Sequence, residues 1–478
     1  MSLKKQALQG FFWTFLEKFS SKIVSFVVSI ILARLILPEE FGLLGLTYIF
    51  TGIATVLVSS GLSNSLIRSE NLDNNDYSTV FYFNIGISVI LYIILFFLAP
   101  YIAQFYEEER LTLIIQIYSL VFIFNAFGSI QKTILTIELN FKRQMTVTLP
   151  ALIVSSALAI WMAYYGYGVW SLIWSAVVYS IMVAAQYWFY TKWKPLWAFS
   201  KEKFKTHFRF GYKLTLAGLV NILLNNAYYV IIGKFFTLTQ VGYYQRAESL
   251  KDLPVTNLSM VLDQVTYPVF SKIQNDPDKL RNAYKLMMQL AIFAIAPVMA
   301  ILIVVADSLF IVLYTEKWLP AAPFFQIMAV AAILYPIQAY NVNILKIKGR
   351  TDLVFKIVLF TRVLSILLIF AAFSFGIYAL LWTQLITALL FFVIYSYFSG
   401  KLIDYSTWKQ IKDIIPSIVL ATLIGVLLHY VYINLEVVGS IWRLLLCIFI
   451  GFTSYILAAY LLKMKQILYL FNLIKSRR

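Results

Sequence analysis

Fourteen apolar runs, each of 20 residues or more, take up about three quarters of the chain. They fall at about 11–36, 41–67, 77–103, 111–138, 145–164, 168–190, 209–236, 243–272, 281–306, 320–346, 352–372, 376–398, 411–434 and 439–462. A helix rises 1.5 Å per residue, so about 20 apolar residues cross the roughly 30 Å hydrocarbon core of a bilayer. The first run has no small-residue cleavage site and reads as a retained helix, not a removable signal peptide. Only 13% of the 478 residues are charged, against about 25% in soluble domains. That excludes a soluble enzyme, a secreted disulfide scaffold and a disordered chain. Cys447 and two histidines, His207 and His429, make no disulfide framework and no metal cluster. The expected fold is an all-α integral membrane protein of about 14 transmembrane helices.

The net charge of +17 raises the question of nucleic acid, but its distribution answers it. With the N-terminus inside, 28 of the 39 Lys and Arg fall in inner segments, 4 in outer loops and 7 within spans. This bias puts both termini in the cytoplasm. It also makes membrane lipids, with no nucleic acid, the expected partners of the surface charge. The basic stretch 191–208 reads equally as an interfacial helix or as a plain connector. No loop is long enough for a catalytic domain, and neither histidine has a catalytic companion nearby in sequence.

The two halves resemble each other. Residues 168–175 (GVWSLIWS) match 376–383 (GIYALLWT) at an offset of 208, Gly42 matches Gly242 at 200, and Ile130-Gln131 matches Ile337-Gln338 at 207. Matches in the same order with a small drift indicate a repeat of six spans. An even unit gives parallel repeats around a central cavity, an architecture of alternating-access transporters. The expected organisation is an N-lobe at 1–190, a cytoplasmic linker at 191–208, a C-lobe at 209–398, and two further helices with a basic tail at 399–478.

Ionisable groups inside spans face the protein interior or water far more often than lipid. In the first span Thr14, Lys18, Ser21, Lys22, Ser25 and Ser29 recur at helical spacing, and the second carries Thr47, Thr51, Thr55 and Ser59. Asn221 and Asn225 stand 200 residues beyond Ser21 and Ser25. The eighth span holds Arg246, Glu248, Lys251 and Asp252 ahead of Pro254, a candidate kink. Such a lining suits an anionic, hydroxyl-rich cargo, since Lys and Arg bind phosphate while Ser, Thr and Asn bond sugar hydroxyls. The simpler reading of the Thr ladder is helix packing. Arg34 reads as a cargo contact or an interfacial anchor. Arg362 is a candidate gating residue, and Glu17 and Asp263 are candidate coupling carboxylates or structural pairs.

Several stretches resemble the polysaccharide transporter (Wzx/TuaB-like) family of the multidrug/oligosaccharidyl-lipid/polysaccharide (MOP) flippase superfamily. They include 33–42 (ARLILPEEFG), 61–68 (GLSNSLIR), 76–79 (DYST), 244–247 (YQRA), 267–276 (YPVFSKIQND) and 316–320 (EKWLP). The resemblance implies two six-helix lobes with two C-terminal helices, as in MATE transporters. It implies flipping of a polyprenyl-pyrophosphate-linked oligosaccharide from the inner to the outer leaflet of a bacterial cytoplasmic (inner) membrane. It also implies that cations on the first and eighth helices hold the pyrophosphate. Lys22 and Arg246 match that role best, followed by Lys18 and Lys251, although Lys stands where Arg is common in the family. No cofactor is expected beyond a coupling H+ or Na+, and a polymerase and chain-length machinery are expected partners. The alternatives are a multidrug exporter of the same fold and, less favoured, a membrane glycan polymerase or acyltransferase.

Overall fold

The computed structural model describes the backbone of residues 3–435 and 437–476, and the side chains outside 1–8, 11, 59–60, 257–265, 470 and 472–476. Among the described residues every regular element is helical. The chain forms two compact units, Met1–Gly242 and Tyr243–Arg478.

The first unit contains α1 (Leu3–Leu35), α2 (Pro38–Arg68), α3 (Asn74–Tyr106), α4 (Arg110–Tyr118), α5 (Leu120–Ile137), α6 (Phe141–Tyr164), α7 (Val169–Tyr190), α8 (Lys201–Asn225) and α9 (Ala227–Phe235). Local sequence explains the boundaries. Pro38 opens α2 with Glu39 and Glu40 in its first turn, at the positive end of the helix dipole. Asp73 and Asp76 form a capping box at the start of α3, and Asn140 and Ser200 cap α6 and α8. Helices α8 and α9, which the sequence repeat places in the second set of six spans, pack against α2 within this first unit.

The α2–α8 contact is made possible by glycine. A Cβ on Gly61 would lie 2.4 Å from the Gly211 carbonyl oxygen, so the two backbones touch there. The Gly61 N–H donates to Thr215 Oγ1 at 3.1 Å. Farther along the seam Gly218 faces Val56 and Gly52 faces Ile222.

The second unit contains most of α10 (Leu238–Lys272), then α11 (Pro277–Val304), α12 (Ala306–Tyr314), α13 (Ala322–Ala332), α14 (Tyr335–Ile347), α15 (Thr351–Ala372), α16 (Ile377–Leu402), α17 (Thr407–Asn434), α18 (Ser440–Leu461) and α19 (Lys465–Ser476). The sequence suggests a loop at 307–320. The structure instead forms α12 and a 3-10 turn, Glu316–Ala321, whose Trp318 is fully buried. Helices α17 and α18 pack on α11 and so belong to this unit's body. The fastening of α17 is polar: the Tyr284 hydroxyl lies 2.7 Å from Asn341 Oδ1 and 3.0 Å from Gln410 Oε1, while Lys285 pairs with Asp413 at 2.8 Å.

Among the described residues twelve segments are long and apolar enough to cross a membrane. The sequence count is fourteen. The difference is α1 and α10, of 33 and 35 residues, which have the length but carry charge inside their runs. At 1.5 Å per residue each is about 50 Å long.

The glycine seam gives a stability prediction. Gly211→Val is expected to lower the apparent Tm of the purified protein by several degrees, because overpacking costs roughly 1–3 kcal/mol. Gly86→Ala, where an added Cβ meets nothing within 4 Å, is the control and should leave Tm within about a degree. A thermal melt followed by intrinsic fluorescence checks both.

Candidate functional site

Helix α1 separates its side chains into three faces. Phe12, Phe15, Phe19, Ile23 and Val27 form an exposed apolar stripe. Beside it lie Lys18, Lys22 and Ser25, also exposed, with Ser29 half-buried. At 100° per residue the two stripes are centred about 120° apart. Glu17 is on another face, where Thr148 Oγ1 of α6 donates to its carboxylate at 2.9 Å. Lys18 and Lys22 thus stand on an exposed face, and Glu17 on one that meets α6. Arg34 is exposed in the last turn of α1, sixteen residues beyond Lys18. Asn221 and Asn225 are exposed neighbours on α8, 3.4 Å apart, so the structure places them in the first unit.

Arg246 is not an exposed charge of the kind the sequence suggests. It is 7% exposed, and its guanidinium lies over the rings of Tyr314 and Trp318, 5.8 Å from each centroid. Arg is suited to such a site because its planar, weakly hydrated head stacks on aromatic faces. The stretches 244–247 and 316–320 thus meet in one contact. Lys251 pairs with Asp252 at 3.0 Å, not with Glu248, whose carboxylate accepts from the Tyr244 hydroxyl at 3.3 Å. Pro254 lies within a continuous α10, and the side chain of Asp263 lies outside the described residues. Arg362 is half-buried on α15, within electrostatic reach of Tyr395.

The Thr ladder of α2 resolves as packing. Thr47, Thr51 and Thr55 donate to carbonyls of their own helix at 2.7, 3.2 and 2.7 Å, leaving those protons unavailable to a ligand. Ser59 lies outside the described side chains.

His207 requires a correction. Sequence spacing gives it no companions, yet the structure brings Ser65 and Asp76 to its two ring nitrogens. Nδ1 is 2.8 Å from Ser65 Oγ and Nε2 is 3.1 Å from Asp76 Oδ1. His207 is 2%, Asp76 6% and Ser65 5% exposed. A nucleophile buried to that degree has no approach for a substrate, so the trio is a brace between α2, α3 and α8. Lys203 extends it, reaching Asp76 and Asp73 at 2.7 Å each. The stretch 191–199 is strapped alongside: Leu196 N–H donates to Ser78 Oγ at 2.8 Å and Ser200 N–H to Thr79 Oγ1 at 3.1 Å. Trp193 donates to Asn74 and packs edge-on to Phe81. Residues 191–199 form a connector held to the start of α3, while 201–208 are the first two turns of α8.

A second brace lies at the other end of the unit. Arg110 pairs with Glu39, Glu40 and Glu108 at 2.6, 3.2 and 2.7 Å. Glu40 also accepts the Val169 N–H at 2.8 Å, at the N-terminus of α7. Arg110 holds the Glu108 carboxyl below the usual carboxylate range. Gly168, at φ +52° and with Glu40 2.8 Å from where its Cβ would stand, must remain glycine. Glu40 of 33–42 and Gly168-Val169 of 168–175 therefore meet in one structural contact.

A family model described as polysaccharide biosynthesis protein matches residues 31–323. This chain belongs to that family. The chain is 24% identical to the teichuronic acid biosynthesis protein TuaB of Bacillus subtilis (strain 168), over 91% of each chain. It is 25% identical to the lipopolysaccharide biosynthesis protein WzxC of Escherichia coli (strain K12), over 77% of this chain and 75% of that one. In structure it resembles the lipid II flippase MurJ, with a TM-score of 0.73 at 14% identity over 95% of this chain and 99% of MurJ. A MATE family multidrug transporter of the MOP superfamily gives 0.61 at 18% identity over 81% and 96%. The chain thus has the all-helical fold of these two structures, in a multi-pass membrane protein.

The brace at His207 predicts a pH and mutation response. Hydrogen bonding from Lys203, then the backbone of Asp76, holds the Asp73 carboxyl down at about 2. A depressed carboxyl stabilises above its unfolded pKa, near 3.8, and that contribution is lost as pH falls through about 2. Protease cleavage within 191–200 should therefore rise as pH drops from 4 toward 2, using an acid-stable protease. Asp76→Asn should raise the same cleavage at least severalfold at pH 7.

Proposed function

We propose that this chain flips a polyprenyl-diphosphate-linked oligosaccharide from the inner to the outer leaflet of a bacterial cytoplasmic membrane by alternating access. The observation that carries the reading is the exposed cationic face of α1, with Lys18 and Lys22 beside Ser25. Ionisable groups within long apolar helices face the protein interior or water far more often than lipid, and an exposed pair of lysines beside a hydroxyl suits a diphosphate joined to a sugar. Lys22 is the primary headgroup contact and Lys18 the second. Arg246 acts from a fixed seat on Tyr314 and Trp318, contributing field and orientation. Lys251, Asn221, Asn225, Ser25 and Arg34 are secondary polar contacts for headgroup and sugar. Arg362 and Pro254 are proposed for gating.

The transporter performs no bond chemistry in this reading, and it is driven by an ion gradient or the membrane potential. Glu17, tied to α6 while Lys18 and Lys22 occupy another face of the same helix, is the favoured site for a coupling H+ or Na+, with Asp263 the other candidate. Both termini are cytoplasmic, as the Lys and Arg distribution supports. A polymerase and chain-length machinery are the natural consumers of the product. A multidrug exporter of this fold is the competing reading, and the lysines of α1 count against cationic drugs as cargo.

The test is export in a strain that depends on this protein. Lys22→Ala is expected to reduce surface glycan at least tenfold while membrane levels of the protein stay normal, with Lys22→Arg retaining most export. Arg246→Lys, which keeps charge but loses the stacking head, should fall between them. Wild-type export by Lys22→Ala would remove the assignment.

A further inference from the structure

Helix α8 uses its cations in two different ways. Lys203 and His207, four residues apart, point into the brace with Asp73, Asp76 and Ser65. Lys201, Lys205, Arg209 and Lys213 also recur every fourth residue, and all four are exposed. At 100° per residue their stripe is centred about 160° round the helix from the brace. Among the described residues none of the four has an ion-pair partner. The nearby carboxylates Asp73 and Asp76 are already held by Lys203 and His207, and Glu202 is the one acidic residue on the exposed side of this stretch.

An aromatic ladder runs beside the cations. Phe204 and Phe208 have ring centroids 5.2 Å apart, and Phe208 and Tyr212 stack at 5.8 Å. Phe208 and Tyr212 remain 40% and 37% exposed. From Lys201 to Lys213 the stripe rises about 18 Å. The His207 brace and the 191–199 strap fix this end of α8, so the cations project from a rigid base rather than a loose loop. A charged stripe flanked by exposed aromatics fits a ligand with a phosphate head and an apolar tail. It does not fit a free phosphate, which would leave the ladder unused.

We propose that the stripe Lys205–Arg209–Lys213, with Lys201 at its foot, is a docking site for the diphosphate headgroup of a polyprenyl lipid in the inner leaflet. The site captures the carrier before translocation and is separate from Lys18 and Lys22 on α1. Neighbouring cations of the stripe rise about 6 Å apart along the axis, within reach for their long side chains to converge on one headgroup carrying more charge than a phosphodiester. This deepens the flippase reading and rests on it for the identity of the lipid.

The test uses the full-length protein in nanodiscs and a fluorescent polyprenyl diphosphate as probe, at low and high salt. Wild type should bind the probe more weakly as salt rises. The triple variant K205Q/R209Q/K213Q should lose about tenfold or more in affinity, while K205R/R209K/K213R retains it and shows that the loss follows charge. Unchanged helical circular dichroism and Tm confirm that the variants fold. Binding by the triple variant equal to wild type would overturn the site, as would displacement of the probe by phosphatidylglycerol at equal charge. A second arm measures transbilayer movement of the same probe by wild type. No movement, with stripe-dependent binding intact, removes the flippase reading and leaves the docking site standing.

Discussion

The cost of placing an ion in or beside hydrocarbon is the constraint on which this structure depends. Each charge in a long helix needs a partner or contact with water, and the protein assigns them unequally. Glu17 is tied to Thr148 and Lys251 to Asp252, while Arg246 is stacked between Tyr314 and Trp318. Lys18 and Lys22 are exposed on α1. Lysines in a helix of this length reduce its compatibility with lipid, and an anionic cargo is the reason proposed for them. The same cost explains why α1 and α10, of all the long helices, do not qualify as plain apolar spans.

Polar contacts also hold the rigid parts together. In the first unit Arg110 joins the starts of α2 and α4 and, through Glu40, that of α7 at one end. Asp76, His207 and Lys203 join α2, α3 and α8 at the other. In the second unit Tyr284, Asn341, Gln410 and Asp413 do comparable work for α11, α14 and α17. Between these polar ends α2 and α8 meet through small residues, backbone to backbone at Gly61 and Gly211. Packing fixes the distances and the polar ends fix the register.

Much of the fold was legible in the sequence because hydrophobic length, helix caps and cation placement are local signals. The runs at 41–67 and 77–103 match α2 and α3 to within a few residues, and Asp73 with Asp76 marks the start of α3. The site was legible only in part. Lys22 stood out because a charge inside an apolar run needs no neighbour to be noticed. His207 did not, since Ser65 and Asp76 are 142 and 131 residues away in the chain. The burial of Arg246 depends likewise on Trp318, 72 residues on, and no spacing rule connects them. The Thr ladder of α2 was ambiguous for another reason: helical periodicity gives the face of a hydroxyl but not whether its proton is already spent on the preceding turn.

The most direct measurement of the central claim uses proteoliposomes containing only this protein and a fluorescent polyprenyl-diphosphate-linked glycan. Chemical quenching from outside counts the labelled lipid in the outer leaflet over time. The account predicts that quenching proceeds beyond the outer-leaflet fraction with wild-type protein and stops at that fraction with Lys22→Ala. Equal rates with the two proteins, or no movement above protein-free vesicles with wild type under either an ion gradient or a membrane potential, would contradict it.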